Sequence, residues 1–91
     1  MAYKITPHTL KRAKELGVEV RPSKLKNKKI DIYKDGRKLY SVGDIRYSDY
    51  GTYLLLGNIP LANERRSLYL RRHSKDNVKG TRGWYAMNLL W

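Results

Sequence analysis

An α+β fold is predicted for this 91-residue chain by three local patterns. Thr6-Pro7 opens and Gly17 closes a short helical segment, Asp35-Gly36 separates two strand-like runs, and apolar residues beyond residue 47 recur at helical spacing. Together they predict one small domain over residues 1–91. It has an N-terminal helix, an antiparallel β-hairpin or sheet within 1–46, and two or three C-terminal helices within 47–91 packed on one face. Neither half is long enough to bury a core alone.

The elements follow in order. Thr6 is an N-cap and Pro7 occupies the first helical turn, where its missing N–H costs nothing. Leu10 and Ala13 face inward, Lys11, Arg12 and Lys14 face out, and Gly17 supplies a left-handed stop. Val18-Glu19-Val20-Arg21 alternates as a strand that Pro22 ends. The Asp35-Gly36 turn joins two further strands, and a two-residue loop sets Ile32 opposite Leu39. Ser48 caps a short helix that runs from Asp49 through Leu54-Leu55-Leu56 to Gly57. Pro60 opens a longer helix reaching about Lys75, Asp76 to Gly83 is a loop, and a last helix starts at Thr81 or Gly83. The expected core is Leu10, Ile30, Ile32, Leu39, Val42, Tyr50, Leu54, Leu68, Trp84, Leu89 and Trp91.

Charge dominates the composition. Twenty Lys and Arg oppose eight Asp and Glu, a formal net charge of +12. Self-repulsion of that size is relieved by a polyanion, which makes nucleic acid the expected partner, though charge alone does not separate DNA from RNA. Cysteine is absent, which excludes disulfides and thiolate metal sites. No apolar run approaches the roughly 18 residues of a membrane span, and no signal-peptide segment opens the chain. These features predict an intracellular or virion-interior protein rather than a secreted or membrane-bound one.

The phosphate-contact candidates form two groups. Lys24, Lys26, Lys28, Lys29, Lys34, Arg37 and Lys38 crowd the hairpin, where they would decorate its outer face like a basic β-ribbon. Arg66, Arg71, Lys75, Lys79 and Arg82 add to them from the second half. A further set, Arg65, Tyr69, Arg72 and His73, lies on one helical stripe flanked by Leu61 and Leu68. Two readings compete for it. Either these residues grip phosphates, or they form a partly buried polar network with Asp49, Glu64 or the C-terminal carboxylate. Tyr33 and Tyr40 could stack on bases, but a chain with eight Tyr and no Phe also needs tyrosines in its core. Trp84 and Trp91 read as core anchors.

Catalysis finds little support. His8 and His73 are far apart in sequence, and Asp31, Asp35, Asp44 and Asp49 lack the clustered spacing of a magnesium nuclease. Gly80-Thr81-Arg82-Gly83 lacks the ending of a phosphate-cradling loop. No enzyme activity, metal or cofactor is expected.

Tyr47-Ser48-Asp49-Tyr50, then Glu64-Arg65, Tyr69 and Arg72-His73, then Gly83-Trp84-Tyr85 and Leu89-Leu90-Trp91 form a further pattern. Over residues 28–91 it resembles a family of small basic proteins encoded mainly by large double-stranded DNA viruses of algae and protists. Leu54-Leu55-Leu56 and Leu68 depart from that family, which is more polar at the first and basic at the second. The family has no established biochemical activity, so the resemblance implies a viral setting rather than a mechanism. The expected function is non-enzymatic nucleic-acid binding, to double-stranded DNA with weak sequence preference. The alternative is a minor capsid or cement protein that binds acidic surfaces of capsid or other viral proteins.

Overall fold

A computed structural model describes residues 3–76 and 78–91. The chain runs α1 (Pro7–Leu16), β1 (Glu19–Pro22), β2 (Lys28–Lys34), β3 (Arg37–Asp44), α2 (Tyr50–Leu55), α3 (Ile59–Arg72), a 3-10 turn (Ser74–Asp76) and α4 (Arg82–Leu90). The three strands form one antiparallel sheet in the order β1-β2-β3. Helices α1 and α4 pack on each other and against the sheet, while α3 packs on α2. The expected α+β class and element order are therefore observed, in a single domain with a radius of gyration of 12.5 Å, close to the ~12 Å usual for this length.

Local chemistry sets the helix ends. The Thr9 N–H donates to Thr6 Oγ1, and Gly17 closes α1 in the left-handed region at φ 73°. Asp49, not Ser48, caps α2, its Oδ1 accepting from the Thr52 N–H at 2.9 Å. Asn58 and Thr81 cap α3 and α4 in the same way. The long helix stops at Arg72, short of Lys75, and continues only as the 3-10 turn. Asn77, within the expected 76–83 loop, lies outside the described residues.

The β2–β3 hairpin contains one correction of register. Asp35 and Gly36, at φ 52° and 77°, make the expected two-residue turn. Lys34 and Tyr33 then pair with Arg37 and Lys38, but Ile32 faces Tyr40, because a bulge leaves Leu39 without a partner. The parity of the sequence explains it. An unbroken ladder would set Ile30 opposite Ser41, whereas the bulge sets Ile30 opposite Val42 and Asp31 opposite Ser41. Apolar residues meet apolar ones, and Ser41 Oγ donates to the buried Asp31 Oδ1 at 2.6 Å. Ser23 Oγ also donates to Asp31 at 2.6 Å, which folds the β1–β2 loop over that carboxylate.

The core forms between the sheet, α1 and α4. Ile30, Ile32, Val42 and Leu89 are fully buried as expected, joined by Ala13, Tyr85 and Leu90. Each large apolar side chain so buried is worth about 1.5–3 kcal/mol. Leu39, Tyr50, Leu54, Leu68, Trp84 and Trp91 are only half-buried. Leu10 faces solvent, against expectation. Thr9 takes the inward position in its place, because its Oγ1 donates to the Leu89 carbonyl at 2.8 Å. Arg12 Nε donates to the Asn88 carbonyl at 2.9 Å. α1 thereby satisfies two carbonyls of the last turn of α4, which have no partner inside their own helix.

Lys29 is the largest departure from expectation. Its side chain is 4% exposed, and its Nζ donates to Asp49 Oδ2 at 2.8 Å, with Asp49 wholly buried. The Tyr3 hydroxyl donates to the same oxygen at 2.5 Å. Lys29 is therefore an internal counter-ion, not a cation on the outer face. Gly51 sits above this knot, where an added Cβ would strike the side chain of Thr6, the residue that caps α1. Burial pushes the Asp49 carboxyl up, but the bonds from Lys29 and Tyr3 and the Lys29 charge outweigh it and hold it below the ordinary value. Burial and the neighbouring Asp49 push the Tyr3 phenol up.

Removing one partner should be costly. Asp49→Asn strands a buried ammonium and is expected to lose about 3–5 kcal/mol at neutral pH by chemical denaturation. Because the folded carboxyl titrates below the unfolded value of about 3.9, its stabilisation persists above that pH and fades as pH falls through the folded value. The stability gap between native protein and variant should therefore narrow below about pH 4. A gap that is constant down to pH 2 would contradict an ionised Asp49.

Candidate phosphate-binding surfaces

The predicted cations separate into distinct sites. Lys24 and Lys26 stand exposed on the β1–β2 loop, and Lys34 and Arg37 stand exposed on either side of the hairpin turn. Lys38 is exposed as well but leans to 3.7 Å from Asp31. Burial pushes the Asp31 carboxyl up, while the Ser23 and Ser41 hydroxyls, the Lys24 N–H and Lys38 outweigh it and hold it below the ordinary value. Lys28, Lys38 and Arg82 line one shallow groove beside Tyr40, so the start of α4 joins the sheet in presenting charge. Arg71, Lys75 and Lys79 are exposed.

Arg66 belongs to a different cluster. Its guanidinium lies 4.9 Å from the centre of the Tyr50 ring, and Tyr50 makes an edge contact with His8 at 5.0 Å. Burial, then the charges of Arg66 and Arg12, lower the His8 pKa, so that ring stays neutral at physiological pH.

The stripe of Arg65, Tyr69, Arg72 and His73 comes together on one wall of a cleft of about 540 Å³. The opposite wall is the end of the β2–β3 hairpin with Lys28 and Asp44, and Tyr47, Tyr53 and Trp91 complete it. Tyr69 stacks on Trp91 with centroids 4.5 Å apart and planes 10° from parallel. His73 stacks on Tyr69 at 4.1 Å and 19°. Aromatic contact thus holds the stripe against the end of α4.

Asp49 is committed to Lys29 and Tyr3, and among the described residues Arg65 and Arg72 form no ion pair with a carboxylate. Asp44, the acidic residue lining the cleft, is engaged by Arg46 at 2.7 Å, whose hydrogen bonds hold its carboxyl at about 2. Tyr47 is 68% exposed at the cleft. That Lys28 and Asp44 line one cleft with α3 could not be read from spacing, since it depends on how the second half docks beside the hairpin.

The tyrosines are mostly structural. Tyr85 is in the core, Tyr40 packs near it and donates to the Gly80 carbonyl at 3.1 Å, and Arg21 covers the Tyr33 ring at 4.5 Å. Among the described residues no group of three or more His, Asp or Glu gathers, and no helix is long and apolar enough to cross a membrane.

Set against protein-family models, curated proteins and solved structures, the chain matches none.

Arg46→Ala checks the electrostatics at the cleft. NMR titration should find the Asp44 carboxyl rising from about 2 toward the ordinary value near 3.9. Both partners are solvent-facing, so the thermal midpoint should barely move. A carboxyl that stays near 2 would assign the effect to the residue-46 backbone N–H, which the variant keeps, and to Lys28.

Proposed function

We propose that the protein is a non-enzymatic nucleic-acid-binding protein that tracks the phosphates of double-stranded DNA with weak sequence preference. The observation that carries this reading is the division of charge. Five of the eight acidic side chains are already paired within the chain, by Arg12, Arg21, Lys29, Lys38 and Arg46. Lys24, Lys26, Lys34 and Arg37 stand exposed on the hairpin and its neighbouring loop, with no ion pair among the described residues. Exposed cations at both ends of the three-stranded sheet, on the β1–β2 loop and at the β2–β3 turn, suit phosphates spaced along DNA, whose neutralisation releases counterions. The hairpin carries no Asn or Gln to read adenine, which favours weak base preference. The resemblance noted over residues 28–91 supports action within a viral life cycle.

A second reading, a virion structural protein that binds other viral proteins, draws on one observation. Leu55, Leu56 and Ile59 are 65%, 71% and 47% exposed at the α2–α3 corner, an apolar edge suited to protein contact.

Fluorescence anisotropy with a random duplex, a single strand and an RNA hairpin across a salt series separates the two. Duplex affinity tighter than about micromolar at physiological salt, falling steeply with added salt, is expected. Reversing Lys24, Lys26, Lys34 and Arg37 to Glu should abolish it with the thermal midpoint unchanged, because all four are exposed. Lys29 is left out of that set, since its reversal would bury two anions together. Retained affinity in the quadruple variant would remove the hairpin from the interface. Flat, weak binding to all three probes would favour the capsid-associated role.

A further inference from the structure

We infer that the cleft between the end of the β2–β3 hairpin and α3 is a nucleotide site, taking a phosphate and an unpaired base together. The proposal goes beyond phosphate tracking and needs no duplex contact. Four lysines and arginines line the cleft, of which Lys29 is paired with Asp49 while Lys28, Arg65 and Arg72 have no ion pair among the described residues. Among the described acidic side chains beside the cleft, Asp44 is held by Arg46 and Asp49 by Lys29. An anion with several oxygens is the complementary ligand, and two guanidiniums are suited to grip it bidentately.

Charge alone would suit any phosphate. The aromatic wall narrows the class. Trp91, Tyr69 and His73 form a continuous stack with spacings of 4.5 and 4.1 Å, and Tyr47 adds an exposed ring at 68% accessibility. Trp91 and His73 cover the two faces of Tyr69, so the exposed Tyr47 ring is the face offered to a base, next to cations for the phosphate, which matches the two halves of a nucleotide. The volume of about 540 Å³ lies within the ~300–1,000 Å³ range of small-molecule sites. A base inside a duplex is stacked and paired, so it cannot enter such a cleft without being extruded. The ligand is therefore either a free mononucleotide or an unpaired nucleotide at a strand end or in a single strand.

The test uses the full chain and dTMP, thymidine and inorganic phosphate in calorimetric titrations. dTMP should bind, and thymidine and phosphate should each be weaker by about tenfold or more, because each lacks half of the contacts. Arg65→Gln with Arg72→Gln should abolish dTMP binding, and Tyr47→Ala, at an exposed position, should weaken it with the thermal midpoint unchanged. Anisotropy then separates the sources. Tighter binding to a duplex with a single-stranded extension than to a blunt one, lost in the double Gln variant, identifies the unpaired strand. Equal binding of both duplexes beside tight dTMP binding identifies the free nucleotide. Phosphate binding as tightly as dTMP, no dTMP binding, or undiminished dTMP affinity in the folded double variant overturns the proposal. Loss of blunt-duplex binding in the hairpin quadruple variant with dTMP affinity intact shows the two sites to be separate. Absence of duplex binding in the native protein would remove the phosphate-tracking reading while leaving the nucleotide site standing.

Discussion

The buried pair of Lys29 and Asp49 is the contact on which the rest of the molecule depends. It joins β2 to the N-cap of α2, and the Tyr3 hydroxyl ties the N-terminal segment to the same carboxylate. One aspartate thereby caps a helix, neutralises a buried ammonium and accepts a phenol. Desolvation makes such a cluster expensive, so its gain is in specificity of arrangement rather than in net stability. Any other docking of the second half on the sheet would strand one of the charges. Because α2 leads directly into α3, fixing Asp49 against β2 also decides where Arg65, Tyr69 and Arg72 come to lie.

A strongly basic chain of this size has few anions to spend, and it spends them locally. Asp31 collects two serine hydroxyls, a backbone N–H and Lys38, while Asp44 is closed off by its neighbour Arg46. Lys34 and Arg37 on the hairpin and Arg65 and Arg72 at the cleft keep their charge facing outward. Tyrosine serves the same economy from the apolar side. Tyr3, Tyr40 and Tyr50 each bury part of a ring while sending the hydroxyl to Asp49, the Gly80 carbonyl or Asn63. Phenylalanine could not close a core so near a charged surface without exposing bare ring.

The elements most legible in sequence were those governed by neighbours along the chain. Thr6 with Gly17, Thr81, and the Asp35-Gly36 turn act through their own backbone torsions and hydrogen bonds within four residues, so their structural roles could be read directly. Turn length alone pairs Ile32 with Leu39, but burial of Ile30 against Val42 sets the register and a bulge absorbs the difference. Leu10 failed because a threonine whose hydroxyl meets a helix-end carbonyl buries better than helical periodicity suggests. Lys29 failed for a related reason. Nothing in a run of seven hairpin cations marks the one that will find a carboxylate twenty residues away.

Composition and local pattern determined the α+β class, the order of elements, the hairpin and its exposed cations, because charge balance and short-range backbone geometry are properties of the chain itself. The stripe of Arg65, Tyr69, Arg72 and His73 was equally visible, since helical spacing alone aligns it. Only the tertiary structure decided that the stripe faces Lys28 across a cleft, that Trp91 stacks on Tyr69, and that Asp49 answers Lys29 instead of the arginines. Those outcomes turn on contacts between residues 20 to 45 positions apart, where the competition for one buried carboxylate is settled by packing and desolvation.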